Sequence, residues 1–244
     1  GNNVPDYPKL GVWHDAYYLS INQFDQNNNY AWQGAGAAAL ERDKMLAGDF
    51  SAQMVFFSFS PSAEPSSFLP ADVDGIAPPD QEPNYFAYMY DNPDKIVIYE
   101  MDVDWNNTSN STFSQSASIP VSSFSSNVTG IPQPGPWLTA PDLDAIASRL
   151  MFRLQYRNFG QYQAMVTNHT VDVGGGVAGV RWYEFRNSGS GWSLFQEGTY
   201  SPDNESRWMG SIAMDTYGNI ALGYSVSSDN VYPSIRFTGR AIDD

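Results

Sequence analysis

The sequence predicts an all-β fold, and three observations carry that expectation. Aromatic residues fill 15% of the 244 positions while charged residues fill only 16%. Gly and Pro number 20 and 16, enough to punctuate many short segments. The clearest apolar pattern has period two: Ile220, Leu222, Tyr224 and Val226 alternate with Ala221, Gly223 and Ser225. Aromatic and β-branched side chains suit pleated, half-buried surfaces, and alternation places one set of side chains on each face of a strand.

Taken along the chain, the first strand candidate is Tyr17 to Asn22. Ala35 to Leu40 reads as a small-residue strand followed by a short helical turn ending at Gly48, with a full helix over 37–48 as the rival reading. Tyr85 to Tyr90, Lys95 to Met101, Arg149 to Arg157 and Gln163 to Thr170 are further strands. Pro141-Asp142-Leu143-Asp144 can open a second helical turn, with carboxylates at its positive end. Val177 to Phe185 forms a hairpin with Trp192 to Gln196, and Ser211 to Asp215 forms one with Ile220 to Val226 through Tyr217-Gly218-Asn219. Ser234 to Thr238 closes the set. Ser58 to Pro83 and Asn106 to Pro136 read as long surface loops, either insertions or carriers of binding residues.

These segments recur coarsely, around residues 10–50, 68–122, 148–200 and 207–240. Antiparallel units of about 40 to 50 residues match propeller blades. The expected architecture is a β-propeller of four-stranded antiparallel blades, about four of them, in an incomplete ring. It spans 1–244 as a single region, with blade-like units roughly at 1–60, 61–140, 141–205 and 206–244.

Composition limits function. Twelve Lys and Arg against 27 Asp and Glu give a formal charge of −15, which disfavours nucleic acid and anionic membranes as partners. No apolar run reaches the roughly 18 residues that span a bilayer. Absence of Cys excludes disulfides, thiolate metal sites and cysteine nucleophiles. An acidic surface with three Lys suits an extracellular or secreted protein. Opening at Gly1 without Met, the chain reads as a processed product or an excised piece. Sequons begin at Asn106, Asn107, Asn110, Asn127, Asn168 and Asn204, sites for glycosylation where the host supplies it.

Several residues can carry chemistry. Arg149, Arg153 and Arg157 share parity, so on one extended strand they project from one face, either as an anion-facing stripe if that face lines a channel or as structural partners of the chain's abundant carboxylates. Glu184, Asp172 and Asp215 are acid-base candidates, with Tyr156 and Tyr183 as possible nucleophiles. His169, within a strand, can serve as ligand or proton carrier, and His14 beside Asp15 marks a turn. Asp72 with Asp74, and Asp102 with Asp104, have the two-residue spacing of calcium loops, giving a possible structural calcium. Gly174-Gly175-Gly176 reads as a flexible hairpin loop. Trp13, Trp32, Trp105, Trp137, Trp182, Trp192 and Trp208 can stack on sugars or fill the core.

Five segments carry a resemblance: 6–13 (Asp-Tyr-Pro-Lys-Leu-Gly-Val-Trp), 41–48 (Glu-Arg-Asp-Lys-Met-Leu-Ala-Gly), 69–75 (Leu-Pro-Ala-Asp-Val-Asp-Gly), 149–160 (Arg-Leu-Met-Phe-Arg-Leu-Gln-Tyr-Arg-Asn-Phe-Gly) and 207–215 (Arg-Trp-Met-Gly-Ser-Ile-Ala-Met-Asp). With 225–228 and 232–240 they resemble a family of secreted bacterial sialidase-like β-propellers. Members of that family carry Cys near positions 37–39 and before Ile131, which this chain lacks, and extend beyond both ends, so the resemblance implies an internal portion of a larger ring. It also implies that Arg149 or Arg153 holds an acidic sugar, with Glu184 or Asp215 in acid-base work. The segment 211–218 only approximates the family's Asp box. The expected function is an extracellular interaction or assembly module whose partners are glycans, other protein copies or flanking blades. The alternative is a sialidase-like glycoside hydrolase.

Overall fold

The structure is a computed structural model that describes residues 3–63, 65–136 and 140–244. Fifteen strands fall in chain order into up-and-down sheets. The first sheet holds β1 (Asn3–Val12), β2 (Ala16–Asp25), β3 (Ala31–Glu41) and β4 (Met54–Ser58), with α1 (Arg42–Leu46) between the last two. The second holds β5 (Leu69–Val73), β6 (Asn84–Asp91), β7 (Asp94–Asp102) and β8 (Thr112–Pro120), and the third β9 (Met151–Asn158), β10 (Gln163–Asp172), β11 (Ala178–Asn187) and β12 (Ser193–Tyr200). The last holds β13 (Ser206–Met214), β14 (Ile220–Ser228) and β15 (Val231–Arg240).

The relation between sheets makes this a β-propeller. Every pairing inside a sheet is antiparallel, yet the first strands of the second and third sheets, β5 and β9, pair in parallel, with Ala71 opposite Leu154 and Val73 opposite Tyr156. Strand β1 lies beside β5, and β13 beside β9. Each sheet therefore contributes its first strand to a common centre and extends outward from it, as a blade does. Gly11 shows how tightly the centre packs, since a Cβ there would lie 2.4 Å from the Ala71 carbonyl oxygen.

Hydrophobic side chains fill the spaces between blades. Tyr18, Ala37, Phe68, Phe86 and Tyr88 belong to one core that continues through Tyr156, Tyr183 and Trp192. Ala164, Val166 and Val180 meet Ile212, Leu222 and Val226 in a second core between the third and fourth blades. Burying a side chain such as Phe86, wholly inaccessible here, stabilises by about 1.5–3 kcal/mol.

The preferred reading of 35–48 holds, since β3 runs into the short α1. Elsewhere the structure corrects the sequence. The stretch 58–83 contains β5, an inner strand, and 106–136 contains β8. Strand β5 is only five residues long and includes Pro70, which demotes a strand by pattern. Strand β8 is outermost and its Thr, Ser and Gln side chains face solvent, erasing apolar alternation. No helical turn forms at Pro141, because Leu143 makes a bridge to Ile131 instead. Asn168, one of the sequon positions, is fully buried in β10 and is no glycan acceptor in the folded chain. Asn106, Asn107, Asn110, Asn127 and Asn204 are exposed. Trp137 lies outside the described residues.

Candidate functional site

The inner strands carry a row of polar side chains that pair with one another. Asp72 stands in register with Gln155, so Asp72 on β5, Asp74 just past its end, and Arg153, Gln155 and Arg157 on β9 come together on one side of the parallel pair. Arg153 Nη2 lies 2.9 Å from Asp72 Oδ2 and 2.7 Å from Asp74 Oδ2. Gln155 Nε2 donates to Asp74 Oδ2 at 2.6 Å and to the Met214 carbonyl at 3.1 Å, while its Oε1 accepts the Met214 N–H. Arg157 Nε donates to the same carbonyl at 2.6 Å. Val12 N–H donates to Asp72 Oδ1 at 3.0 Å. Burial opposes ionisation of Asp74, but the Gln155 hydrogen bond and the Arg153 charge outweigh it and hold the carboxyl below its usual range. The row joins all four blades, and its charges are used up in doing so.

The three arginines do not form one stripe. Arg153 and Arg157 are on β9, whereas Arg149 precedes it and stacks its guanidinium 4.8 Å from the centre of the Tyr7 ring. Nor do Asp72 and Asp74 present a vacant pair of oxygens to a cation, because a guanidinium already lies between them. Asp104 accepts the N–H groups of Asn106 and Asn107 at 2.9 and 3.0 Å and the Asn110 amide at 3.0 Å, closing a turn. Among the described residues no group of three or more His, Asp or Glu is arranged to hold a metal ion.

The acid-base candidates are dispersed. Glu184 is buried on the third strand of its blade, accepting from Arg186 Nε at 2.6 Å and Gln196 Nε2 at 2.5 Å. Asp215 caps the β13–β14 turn, accepting from the N–H groups of Tyr217 and Asn219 at 2.8 and 2.9 Å. The Asn219 side-chain amide adds a third bond, at 2.8 Å. That side-chain bond, with burial opposing and backbone bonds assisting, holds the Asp215 carboxyl low, the wrong direction for a proton donor at neutral pH. His169 is sealed between blades with Nε2 2.9 Å from the Tyr183 hydroxyl, and burial depresses its pKa to about 3. Tyr156 packs its ring 4.6 Å from Trp13, and burial raises its hydroxyl pKa, keeping it protonated.

A different set of residues converges between the first and second blades. There a cleft of about 590 Å³ is lined by His14, Asp15, Tyr18, Glu82, Asp102 and Trp105, with Met101 and Pro83 among its walls. Asp15 follows the end of β1, Glu82 precedes β6, and Asp102 ends β7. Asp15 accepts the Tyr18 hydroxyl at 3.1 Å and the Trp105 indole N–H at 3.2 Å through Oδ2. Gln53 donates to the Trp105 carbonyl at 3.0 Å. Glu82 accepts the Tyr85 hydroxyl through its side chain and the Trp13 indole N–H through its backbone, at 3.0 Å for the latter. Behind it Trp13 stands edge-on to Tyr85 and Tyr156, and Tyr85 edge-on to Trp192, so the wall is rigid aromatic packing.

The cleft is acidic and unneutralised: among the described residues, no ion pair involves Asp15, Glu82 or Asp102. Burial, reinforced by Asp15, raises the Tyr18 hydroxyl pKa, so it stays protonated and donates. The site thus offers carboxylate acceptors beside a half-buried indole. Sequence reading names His14, Asp15, Asp102 and Trp105 singly but does not bring them together, because they are far apart; Asp15 and Trp105 are 90 positions from each other.

No protein-family model matches the chain, and no curated protein matches its sequence. Solved structures resemble it weakly. A GH43 endo-arabinanase from Bacillus licheniformis aligns at TM-score 0.45 and 10% identity, over 95% of this chain and 72% of its own. A structure titled simply as a glycoside hydrolase aligns at 0.46 and 10%, over 98% and 71%. An endo-arabinase from Bacteroides thetaiotaomicron aligns at 0.41 and 14%, over 97% and 75%. The assignment to the propeller class rests on the chain's own strand topology.

Proposed function

We propose that this chain is an extracellular β-propeller binding module that takes a neutral or cationic sugar in the cleft between its first and second blades. The observation that carries this reading is the juxtaposition of Trp105 with Asp15, Glu82 and Asp102 around an open space large enough for a sugar residue. Sugar rings present apolar C–H faces that stack on indole and hydroxyls that donate to carboxylates. Uncompensated carboxylates repel sialosides and sulfated glycans, so the acidic-sugar alternative loses its support. Of the two arginines it calls on, Arg153 is engaged by two aspartates, and Arg149 stacks on the Tyr7 ring away from the cleft.

Binding rather than hydrolysis is favoured because Glu184 and Asp215, the acids expected to act, are saturated with hydrogen bonds in separate places. No helix among the described residues is long and apolar enough to cross a membrane. The test is a glycan array and calorimetry with neutral, amino and acidic oligosaccharides. Trp105→Ala should weaken capture of a neutral or amino sugar at least about tenfold, a loss of about 1.4 kcal/mol. Preference for sialosides, or full binding by Trp105→Ala, would overturn the reading.

A further inference from the structure

Trp105 belongs to the second blade but is held by the first. It follows β7 in a turn that closes on itself at Asp104, whose carboxylate accepts the N–H groups of Asn106 and Asn107. The Trp105 carbonyl and indole N–H both reach across to the first blade. The carbonyl accepts from Gln53 Nε2 at 3.0 Å, and the indole N–H donates to Asp15 Oδ2 at 3.2 Å. One bond fixes the backbone end of the residue and the other the edge of its ring, so together they restrain both side-chain torsions.

The two anchors differ in kind. Asp15 lines the cleft, and the hydroxyl of buried Tyr18 lies 3.2 and 3.1 Å from its two carboxylate oxygens. Gln53 stands outside the cleft wall, immediately before β4. Its backbone is pinned to the end of β3: its N–H donates to Glu41 Oε2 and its carbonyl accepts the Glu41 N–H, each at 3.0 Å. The side-chain amide of Gln53 is thereby a fixed donor aimed at the Trp105 carbonyl. The Asp15–Trp105 bond sits at the long limit for N–H···O, so moving the Trp105 backbone by a few tenths of an ångström breaks it.

We propose that Gln53 is a positioning residue for sugar binding, acting through Trp105: its amide sets the backbone of the turn so that the indole stays bonded to Asp15 and faces the cleft. This inference rests on the reading of the cleft as a sugar site. A platform already held in place spares the ligand the ordering of a free side chain, an advantage of about three- to tenfold in affinity. Because Asp15 takes the indole N–H, the ring meets the sugar with its face, and contacts to hydroxyl or ammonium groups fall chiefly to Glu82 and Asp102.

Two variants test it: Gln53→Met removes the donor, and Gln53→Glu removes it while keeping the shape, with urea unfolding as the check that each is folded. In the ligand-free protein, NMR should show solvent exchange of the Trp105 indole N–H at least about threefold faster in both variants. The Trp13 indole N–H, bonded to the Glu82 carbonyl at 3.0 Å in the same wall, should be unchanged. In calorimetry with cellotriose and a glucosamine trisaccharide, both variants should bind whichever sugar the wild type takes about three- to tenfold more weakly. Gln53→Met should add no further loss in a Trp105→Ala background. Unchanged Trp105 exchange, equal acceleration at Trp13, undiminished sugar binding, or a Gln53→Met loss that persists without Trp105 would each overturn the inference. A wild type that takes neither trisaccharide would overturn the sugar reading and the ligand half of this inference with it, while the exchange rates alone would decide whether Gln53 anchors Trp105.

Discussion

Arg153 on β9 and Asp74, one residue past the end of β5, meet at 2.7 Å across the parallel junction of two blades. The same guanidinium holds Asp72 at 2.9 Å. Of the two roles the sequence offers this arginine, anion receptor or carboxylate partner, the fold uses the second: Arg153 is the counter-charge that lets Asp72 and Asp74 stand side by side. Removing it leaves like charges close together, whereas removing one aspartate leaves the other partner in place. Arg153→Met should therefore cost about 1–3 kcal/mol of unfolding free energy, below the fully buried range because these groups keep some solvent contact, and Asp72→Asn should cost less. Urea denaturation of both variants checks the order.

His169 supplies a pH prediction. Its folded pKa, about 3, lies below the unfolded value because burial disfavours the imidazolium. Between pH about 6.5 and 3 the unfolded chain binds a proton that the folded chain does not, so its contribution is complete above about 6.5 and lost as pH falls. The slope approaches about 1.4 kcal/mol per pH unit for this one group. Unfolding measured from pH 7 to 4 should show the stability gap between wild type and His169→Gln narrowing as the pH drops. A gap that stays constant would mean that His169 takes up its proton while folded.

Gly11 tests the close approach of β1 to β5. A Cβ at this position would meet backbone, the Ala71 carbonyl oxygen at 2.4 Å, and backbone cannot swing aside as a long side chain can. Gly11→Ala should destabilise by about 1–3 kcal/mol through forced displacement of the inner strand. Calorimetric melting of this variant beside Gly160→Ala, which has open space but a positive φ, separates collision from backbone strain.

Expression in a glycosylating host distinguishes the sequons. Peptide mass spectrometry should find Asn168 unmodified, since the folded chain buries it completely. Modification, where it occurs, should fall among Asn106, Asn107, Asn110, Asn127 and Asn204. Occupancy at Asn168 in soluble, cooperatively folding protein would contradict the placement of β10.

The propeller is legible in sequence because its middle strands stand out, by plain alternation in Ile220 to Val226 and by a short β-branched and aromatic run in Lys95 to Met101. What escaped were the strands at the two radial extremes. Strand β5 is short, carries Pro70 and runs out at Asp72 and Val73 just before Asp74, two carboxylates whose main partners, Arg153 and Gln155, come from another blade. Strand β8 is wet on one side and so lacks an apolar rhythm. The site escaped for a related reason: the arginines share a parity that sequence displays, but their partners are set by topology. Asp15, Glu82 and Trp105 share nothing along the chain and meet only where two blades adjoin.

The most direct measurement of the central claim, that ligand is received between the first two blades and not by the arginines, is an amide and indole NMR titration with a neutral oligosaccharide and a sialoside in parallel. The account predicts saturable shifts of the Trp105 indole and the His14 and Asp15 amides with the neutral sugar, and none at Arg149, Arg153 or Arg157 with the sialoside. Sialoside-dependent shifts centred on those arginines, with the Trp105 indole unmoved by either sugar, would contradict it.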